Sequence, residues 1–205
     1  MYQVILPVGT AGIYAPQVKG EYVCKIDGRR VDMEDAKLLA LTPESRTRVF
    51  ELSVLARGAD YGLQKPICVR LKPVAVPYGE WASLGLSWFS GRAIYRNHFE
   101  LEEKGHYRLT WGQSNSCAEI WINHILAGVC AWAPYEVDIT DYVREGENEI
   151  AIVIANLAAP ERRVRLVDEG MALGWNRYWN EDNIDRESED LVSGLMGPVR
   201  IYRYV

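Results

Sequence analysis

From Ala118 the chain alternates Ala118, Ile120 and Ile122 with Glu119, Trp121 and Asn123, the two-residue period of a strand that has one face in a core. Asn123 and His124 follow as a predicted two-residue turn, Asn tolerating positive φ more readily than His, and a second strand returns from Ile125 to Ala131. Numbering outward from that turn opposes Ile122 to Ile125, Trp121 to Leu126 and Cys117 to Cys130, which predicts two reduced thiols facing each other. Val137, Asp138 and Ile139 then run to Thr140, the predicted N-cap of one helical turn through Asp141, Tyr142 and Val143 that Gly146 stops. From Glu149 the chain sets Ile150, Ile152 and Ile154 on one face and Ala151, Val153 and Ala155 on the other. A strand apolar on both faces is predicted to be central and doubly covered.

The segments before and after follow the same two-residue logic. KGEYVCKIDGRRV places Asp27-Gly28 between strand-like flanks, with Tyr22, Cys24 and Ile26 on one face, and reads as a hairpin. MEDAKLLALTPES fits a short helical turn or a strand equally, whereas TRVFELSVLAR and PICVRLKP alternate as strands. PVAVPYGE, residues 73 to 80, is rich in Pro and has no helical period, so it is the expected linker. Gly91 opens the strand RAIYRNHFEL; HYRLTWG follows with Tyr107, Leu109 and Trp111 on one face, and GQSNS is a polar loop. After Asn156 comes a long, aromatic and acidic connection, and GLMGPVRIYRYV closes with a strand. KIDGRRV also resembles WINHILA, and FELSVLA resembles IAIVIAN, about 100 positions on. Two tandem sandwiches would explain this, and so would the general likeness of β segments. On the tandem reading the first sandwich lacks its opening strands and the chain is the C-terminal piece of a longer polypeptide.

Composition narrows the function classes. Across 205 residues the formal charge is −5, and the 23 Lys and Arg are scattered, which argues against a nucleic-acid partner. No apolar run reaches the roughly 18 to 20 residues of a membrane-spanning helix, and residues 1 to 20 lack a signal-peptide pattern. Cys24, Cys68, Cys117 and Cys130 show no zinc spacing and read as reduced, partly buried thiols.

The order AEIWIN, Gly128, WAPY, DIT and GENEIAIVIAN resembles the sugar-binding, galactose-binding-like β-sandwich domain of family 2 glycoside hydrolases and of α-L-rhamnosidase-like enzymes. The match runs through Ala118, Asn123, Gly128, Trp132, Pro134, Tyr135, Asp138, Ile139, Thr140, Gly146, Asn148 and Asn156. His124 departs from it, standing where the family usually has Gly, which bears on the turn type. GEWASLGLSWFSGRAIYRNHFEL resembles the family's opening segment, so the resemblance covers about residues 78 to 205. It implies an all-β jelly-roll β-sandwich over 78–205; on the tandem reading this is preceded by a smaller or partial β-sandwich over 1–75, the end of a preceding jelly roll. It also implies a non-catalytic accessory module whose partners are carbohydrate and the catalytic domain of the same parent polypeptide. Trp132 and Tyr135, as pattern residues, are then expected in the core.

Candidate chemistry is sparse. The chain has no GxSxG, HExxH, P-loop or GxGxxG after a strand, and His98, His106 and His124 lack ligand spacing. Asp182, Asn183, Asp185 and Glu187 lack the Gly and the spacing of a calcium loop, so neither a metal nor a cofactor is expected. A glycosidase in its own right would need two carboxylates flanking a substrate, and 28 acidic residues leave that open. The stronger lead is Trp175, Asn176, Arg177, Tyr178, Trp179 and Asn180, which combine flat aromatic faces with groups that hydrogen-bond hydroxyls, as a sugar site requires. The same rings could instead pin residues 171–190 to protein as an ordered structural loop. Trp121, outward on its strand, is expected to pack against a neighbouring segment.

Overall fold

The computed structural model describes residues 1–33, 37–55, 57–58, 60–112, 116–156 and 192–204, and these form an all-β chain of antiparallel sheets. They divide into two compact units, Met1–Pro77 with Leu84–Leu86, and Tyr78–Ser83 with Ser87–Val205.

The first unit holds β1 (Tyr2–Leu6), β2 (Thr10–Tyr14), β3 (Val18–Lys19), β4 (Tyr22–Ile26), β5 (Arg29–Val31), β6 (Leu38–Ala40), β7 (Arg48–Val54), β8 (Gly62–Leu63) and β9 (Val69–Leu71). One sheet has the order β1-β7-β4-β5 and another β6-β2-β9, with β3 and β8 as a short pair. Alternation sends Leu6, Ile13, Cys24, Ile26, Phe50 and Leu52 into one core, each at most 3% exposed. The hairpin predicted at Asp27-Gly28 forms, with φ of 50° and 77° at the two turn residues. Asp27 also accepts from the Val49 amide and from the Arg48 and Arg46 guanidinium groups, and these contacts hold its carboxyl below the usual range.

The second unit contains β10 (Gly79–Glu80), one turn of 3-10 helix at Trp81–Leu84, β11 (Arg92–Leu101), β12 (His106–Thr110), β13 (Cys117–Ile122), β14 (Ile125–Cys130), β15 (Glu136–Asp138), β16 (Gly146–Ala155), β17 (Gly194–Leu195) and β18 (Arg200–Tyr204). Its sheets have the orders β11-β16-β13-β14 and β15-β12-β18, with β10 pairing β17. Between the two larger sheets lie Tyr107, Leu109, Ala118, Ile120, Ile122, Ile139, Ile150, Ile152 and Ile154, all under 9% exposed. Each fully buried Ile contributes roughly 1.5–3 kcal/mol of transfer free energy. The two units share a strand order: β1, β7, β4 and β5 stand to one another as β11, β16, β13 and β14 do, and β6, β2 and β9 as β15, β12 and β18 do.

Buried amides make the second unit's connections. Asn148 is 0% exposed, and all four of its hydrogen-bonding positions are used. Its Nδ2 donates to the carbonyls of Arg144 at 2.7 Å and Gly146 at 2.9 Å, and its Oδ1 accepts from Arg144 N and Asn123 Nδ2, both at 2.9 Å. Asn123 also donates to the Tyr142 carbonyl and accepts from Glu149 N, so one pair of amides ties the hairpin turn, the 139–145 connection and the start of β16 together. Asn156 closes the other end of β16, accepting from Gly91 N and donating to the Phe89 carbonyl and Ser193 Oγ.

Three expectations need correction. The predicted turn forms, with Ile122 opposite Ile125 and Trp121 opposite Leu126, but a bulge then shifts the register and Cys130 faces Ala118 instead of Cys117. The extra residue lies on β14 between Leu126 and Gly128, and alternation alone gives no sign of it. The turn at 139–143 is capped by Asp138, whose Oδ1 accepts from Thr140 N at 2.9 Å, while Thr140 Oγ1 accepts from Tyr107 N and so joins the turn to β12. The Tyr204 hydroxyl, then Thr140, hold the Asp138 carboxyl down at about 2. Trp132 is 77% exposed: the corner after β14 is held through Cys130 Sγ, which donates to the Trp132 and Pro134 carbonyls, and the indole is left outside the core. Tyr135 does pack inward, half-buried, its ring 5.9 Å from that of Trp111.

Asn148→Ala removes four buried hydrogen bonds and is expected to destabilise the second unit by about 3 kcal/mol. Urea unfolding checks this, and a loss below about 1 kcal/mol would show that water replaces the amide. All four cysteines are free thiols, Cys68 exposed and Cys24 buried, with burial pushing the Cys24 thiol up to about 11. Cys68 is therefore expected to react first with a thiol reagent and Cys24 late. Peptide mapping after mild oxidation should find no 117–130 disulfide, and recovery of one would restore the unshifted register.

Candidate functional site

The six residues singled out from sequence as a sugar site, Trp175, Asn176, Arg177, Tyr178, Trp179 and Asn180, lie outside the described residues, as does the whole of residues 171–190. Within the described residues, the second unit forms a hollow of about 340 Å³ on the outer face of the sheet β11-β16-β13-β14.

Its shape follows from alternation and register. On β16 the Ile side chains at 150, 152 and 154 enter the core, so Glu149, Ala151, Val153 and Ala155 face outward. Pairing sets three cross-strand rows on that face: Arg96, Ala151 and Trp121; Ile94, Val153 and Glu119; Arg92, Ala155 and Cys117. The central member of each row is short, and the flanking members on β11 and β13 are mostly long. The result is a groove along β16, floored by Ala151 and Val153 and walled by Arg92, Ile94 and Arg96 on one side and Glu119 and Trp121 on the other. The expectation for β16 is therefore half met. The strand is central, but its second apolar face floors an open hollow.

Charge pairs brace the walls. Glu119 accepts from Arg92 Nη2 at 2.7 Å and from Trp121 Nε1 at 3.3 Å, which tethers the indole along the strand. At the hairpin end, His124 Nε2 lies 3.3 Å from Glu149 Oε2. His124 takes part because Asn123 and His124 both adopt positive φ, 49° and 68°, the type I′ geometry in which the family pattern carries Gly. Trp121 is half-buried on the wall of the groove.

The arrangement provides an aromatic wall, cationic donors, carboxylate acceptors and an apolar floor, the mixture that holds a polar ligand with a hydrophobic face. It is poorly suited to acid-base hydrolysis. Glu119 pairs with Val153, four positions along β16 from Glu149, so the two carboxylates start about 13 Å apart along the strand, against the roughly 5–9.5 Å of glycosidase pairs. Among the described residues no group of three His, Cys, Asp or Glu side chains is placed to hold a metal ion.

Sequence reasoning missed Arg92, Arg96, Glu119 and Glu149. The signal available was a central strand with Ala at 151 and 155 on its outer face, but which long side chains flank those positions depends on pairing. In the first unit the equivalent row is Gln3, Glu51 and Lys25, so a long side chain stands where Ala151 leaves space.

No protein-family model matches the chain. A protein of Formosa agariphila named as a beta-glucuronidase is 30% identical over 146 residues, 57% of this chain, and the chain spans only 12% of that relative's length. Among solved structures, a rhamnosidase from a Novosphingobium species aligns with 95% of this chain and 20% of its own at 20% identity and a TM-score of 0.44. The beta-D-glucuronidase of Dictyoglomus thermophilum aligns with 75% of this chain and 20% of its own at 14% identity and a TM-score of 0.34. The chain is thus similar to a segment of a much longer glycoside hydrolase, in agreement with the resemblance its motifs carry.

His124→Gly relieves the positive φ at the turn and is expected to raise stability by about 1 kcal/mol, since the exposed contact to Glu149 contributes little. The urea midpoint checks it. No gain, or a loss, would show that the His124 ring braces the hairpin.

Proposed function

We propose that this chain is a non-catalytic accessory β-sandwich of a glycoside hydrolase, and that residues 78–205 bind carbohydrate along the groove on β16. One observation carries the reading: an apolar floor one side chain deep, lined on one wall by the tethered indole of Trp121 and on the other by arginines. A pyranose presents C–H bonds on its faces and hydroxyls at its rim. Such a ring suits an aromatic wall with charged groups at the edges. The similarity to 12% of a much longer protein named as a beta-glucuronidase supports an accessory role beside a catalytic domain of the same polypeptide. Trp175, Asn176, Arg177, Tyr178, Trp179 and Asn180 are proposed as a further contact set for the same ligand.

A second reading is a docking module without sugar affinity. It is favoured by Ile125, Leu126 and Val129 on β14 and by Trp132, which are 57%, 42%, 59% and 77% exposed.

Retention on immobilised oligosaccharides separates the two. Trp121→Ala and Ala151→Glu, which copies Glu51 into the floor, are each expected to weaken retention about tenfold or more, since an aromatic contact and its buried area are worth about 1.5 kcal/mol. Circular dichroism melts should show both variants folded. Loss of retention in Trp175→Ala and Trp179→Ala alone would move the site to the 175–180 segment, and no retention of any sugar by the unmodified chain would favour docking.

A further inference from the structure

Among the described residues, one charged group in the groove has no partner. Arg92 is neutralised by Glu119 at 2.7 Å, and His124 sits against Glu149 at 3.3 Å. Arg96, on the same wall as Arg92, is exposed and makes no hydrogen bond or ion pair among the described residues. We propose that Arg96 makes the groove selective for anionic sugars, reading a carboxylate or a sulfate ester on a ring that lies against Trp121; this rests on the groove being the carbohydrate site.

The row geometry supports it. Arg96, Ala151 and Trp121 lie opposite one another on three adjacent strands, so the Cα atoms of Arg96 and Trp121 stand about 10 Å apart with only a methyl group between them. That gap admits one sugar ring against the indole, with its exocyclic substituent directed at the opposite wall. There it meets a guanidinium, a planar fork of donors that is weakly hydrated and matches two anion oxygens at once. A neutral hydroxymethyl group at the same place engages one donor and leaves the charge unmatched.

The remaining charges do not oppose an anion. Glu119 and Glu149 lie one row to either side of Ala151, and each already has a partner: Glu119 accepts from Arg92 and the Trp121 N–H, and Glu149 sits against His124. The first unit provides an internal contrast. Its equivalent row has Gln3 in place of Arg96, Glu51 in place of Ala151 and Lys25 in place of Trp121, which leaves neither the space nor the unpaired cation.

The test uses the whole chain and three β-1,4-linked glucose disaccharides that differ only at C6 of the non-reducing ring: cellobiose, cellobiouronic acid and 6-O-sulfocellobiose. Titration calorimetry is expected to show at least one anionic disaccharide bound about tenfold more tightly than cellobiose, the scale of one charge-assisted hydrogen bond, with the gain shrinking as salt is raised. The tighter of the two anionic probes identifies the source of the charge. Arg96→Gln is expected to abolish the gain, bringing the anionic disaccharides to the affinity that the same variant shows for cellobiose, while Arg96→Lys, a point charge without the fork, retains part of it. Equal affinity for all three sugars, or a gain that survives Arg96→Gln, overturns the anionic preference and leaves the carbohydrate reading standing. Binding of none of the three overturns both. Unchanged melting temperatures in the two variants establish that any loss is a loss of recognition, as expected for an exposed side chain.

Discussion

The hydrogen-bonded pair Asn123 and Asn148 sets the register on which the rest of the second unit depends. Asn123 sits in the turn between β13 and β14 yet bonds across to β16, through Nδ2 to Asn148 Oδ1 and through Oδ1 to Glu149 N. This holds Ile122 opposite Ile150 and, by the two-residue period, Ile120 opposite Ile152 and Ala118 opposite Ile154. A slip of one residue would reverse the faces, placing Trp121 and Glu119 in the core and Ile120 in water. Because Asn148 is wholly buried with every position matched, a pairing that displaced Asn123 would leave its amide short of a partner. Stability and specificity of register thus have one source.

The groove follows from that register. A central strand normally carries large side chains on both faces if both are covered. β16 carries Ile on the core side and Ala, Val and Ala on the other, between two strands whose outward residues are long. Among the described residues, the size difference across three paired strands makes the hollow and places it on sheet backbone. The ion pairs from Arg92 to Glu119 and from His124 to Glu149 then stiffen its walls more than they stabilise the fold, since exposed pairs contribute at most about 1 kcal/mol.

The two units share one strand order and differ in what their outer faces carry. In the first, Gln3, Glu51 and Lys25 make an ordinary solvated surface. In the second, the same topological positions hold Arg96, Ala151 and Trp121. The sandwich architecture therefore tolerates a change of surface character through a few outward side chains, because those positions take no part in the core.

By itself the sequence determined the all-β class, the hairpins at Asp27-Gly28 and Asn123-His124, the core faces of β12, β13 and β16, and the relation to glycoside hydrolase segments, because all of these are encoded locally in alternation, turn chemistry and motif order. Tertiary structure decided the rest. The bulge that sets Cys130 against Ala118 falls beside Gly128, where an added Cβ would come within 2.8 Å of Val137 Cγ1, and no local pattern reports it. The exposure of Trp132 and the capping by Asp138 in place of Thr140 depend on which strands the corner and the turn meet. The groove was invisible for the same reason. Arg96 and Trp121 are separated by 25 positions along the chain and by one Ala across the sheet, and only pairing through β16 brings them into a single row.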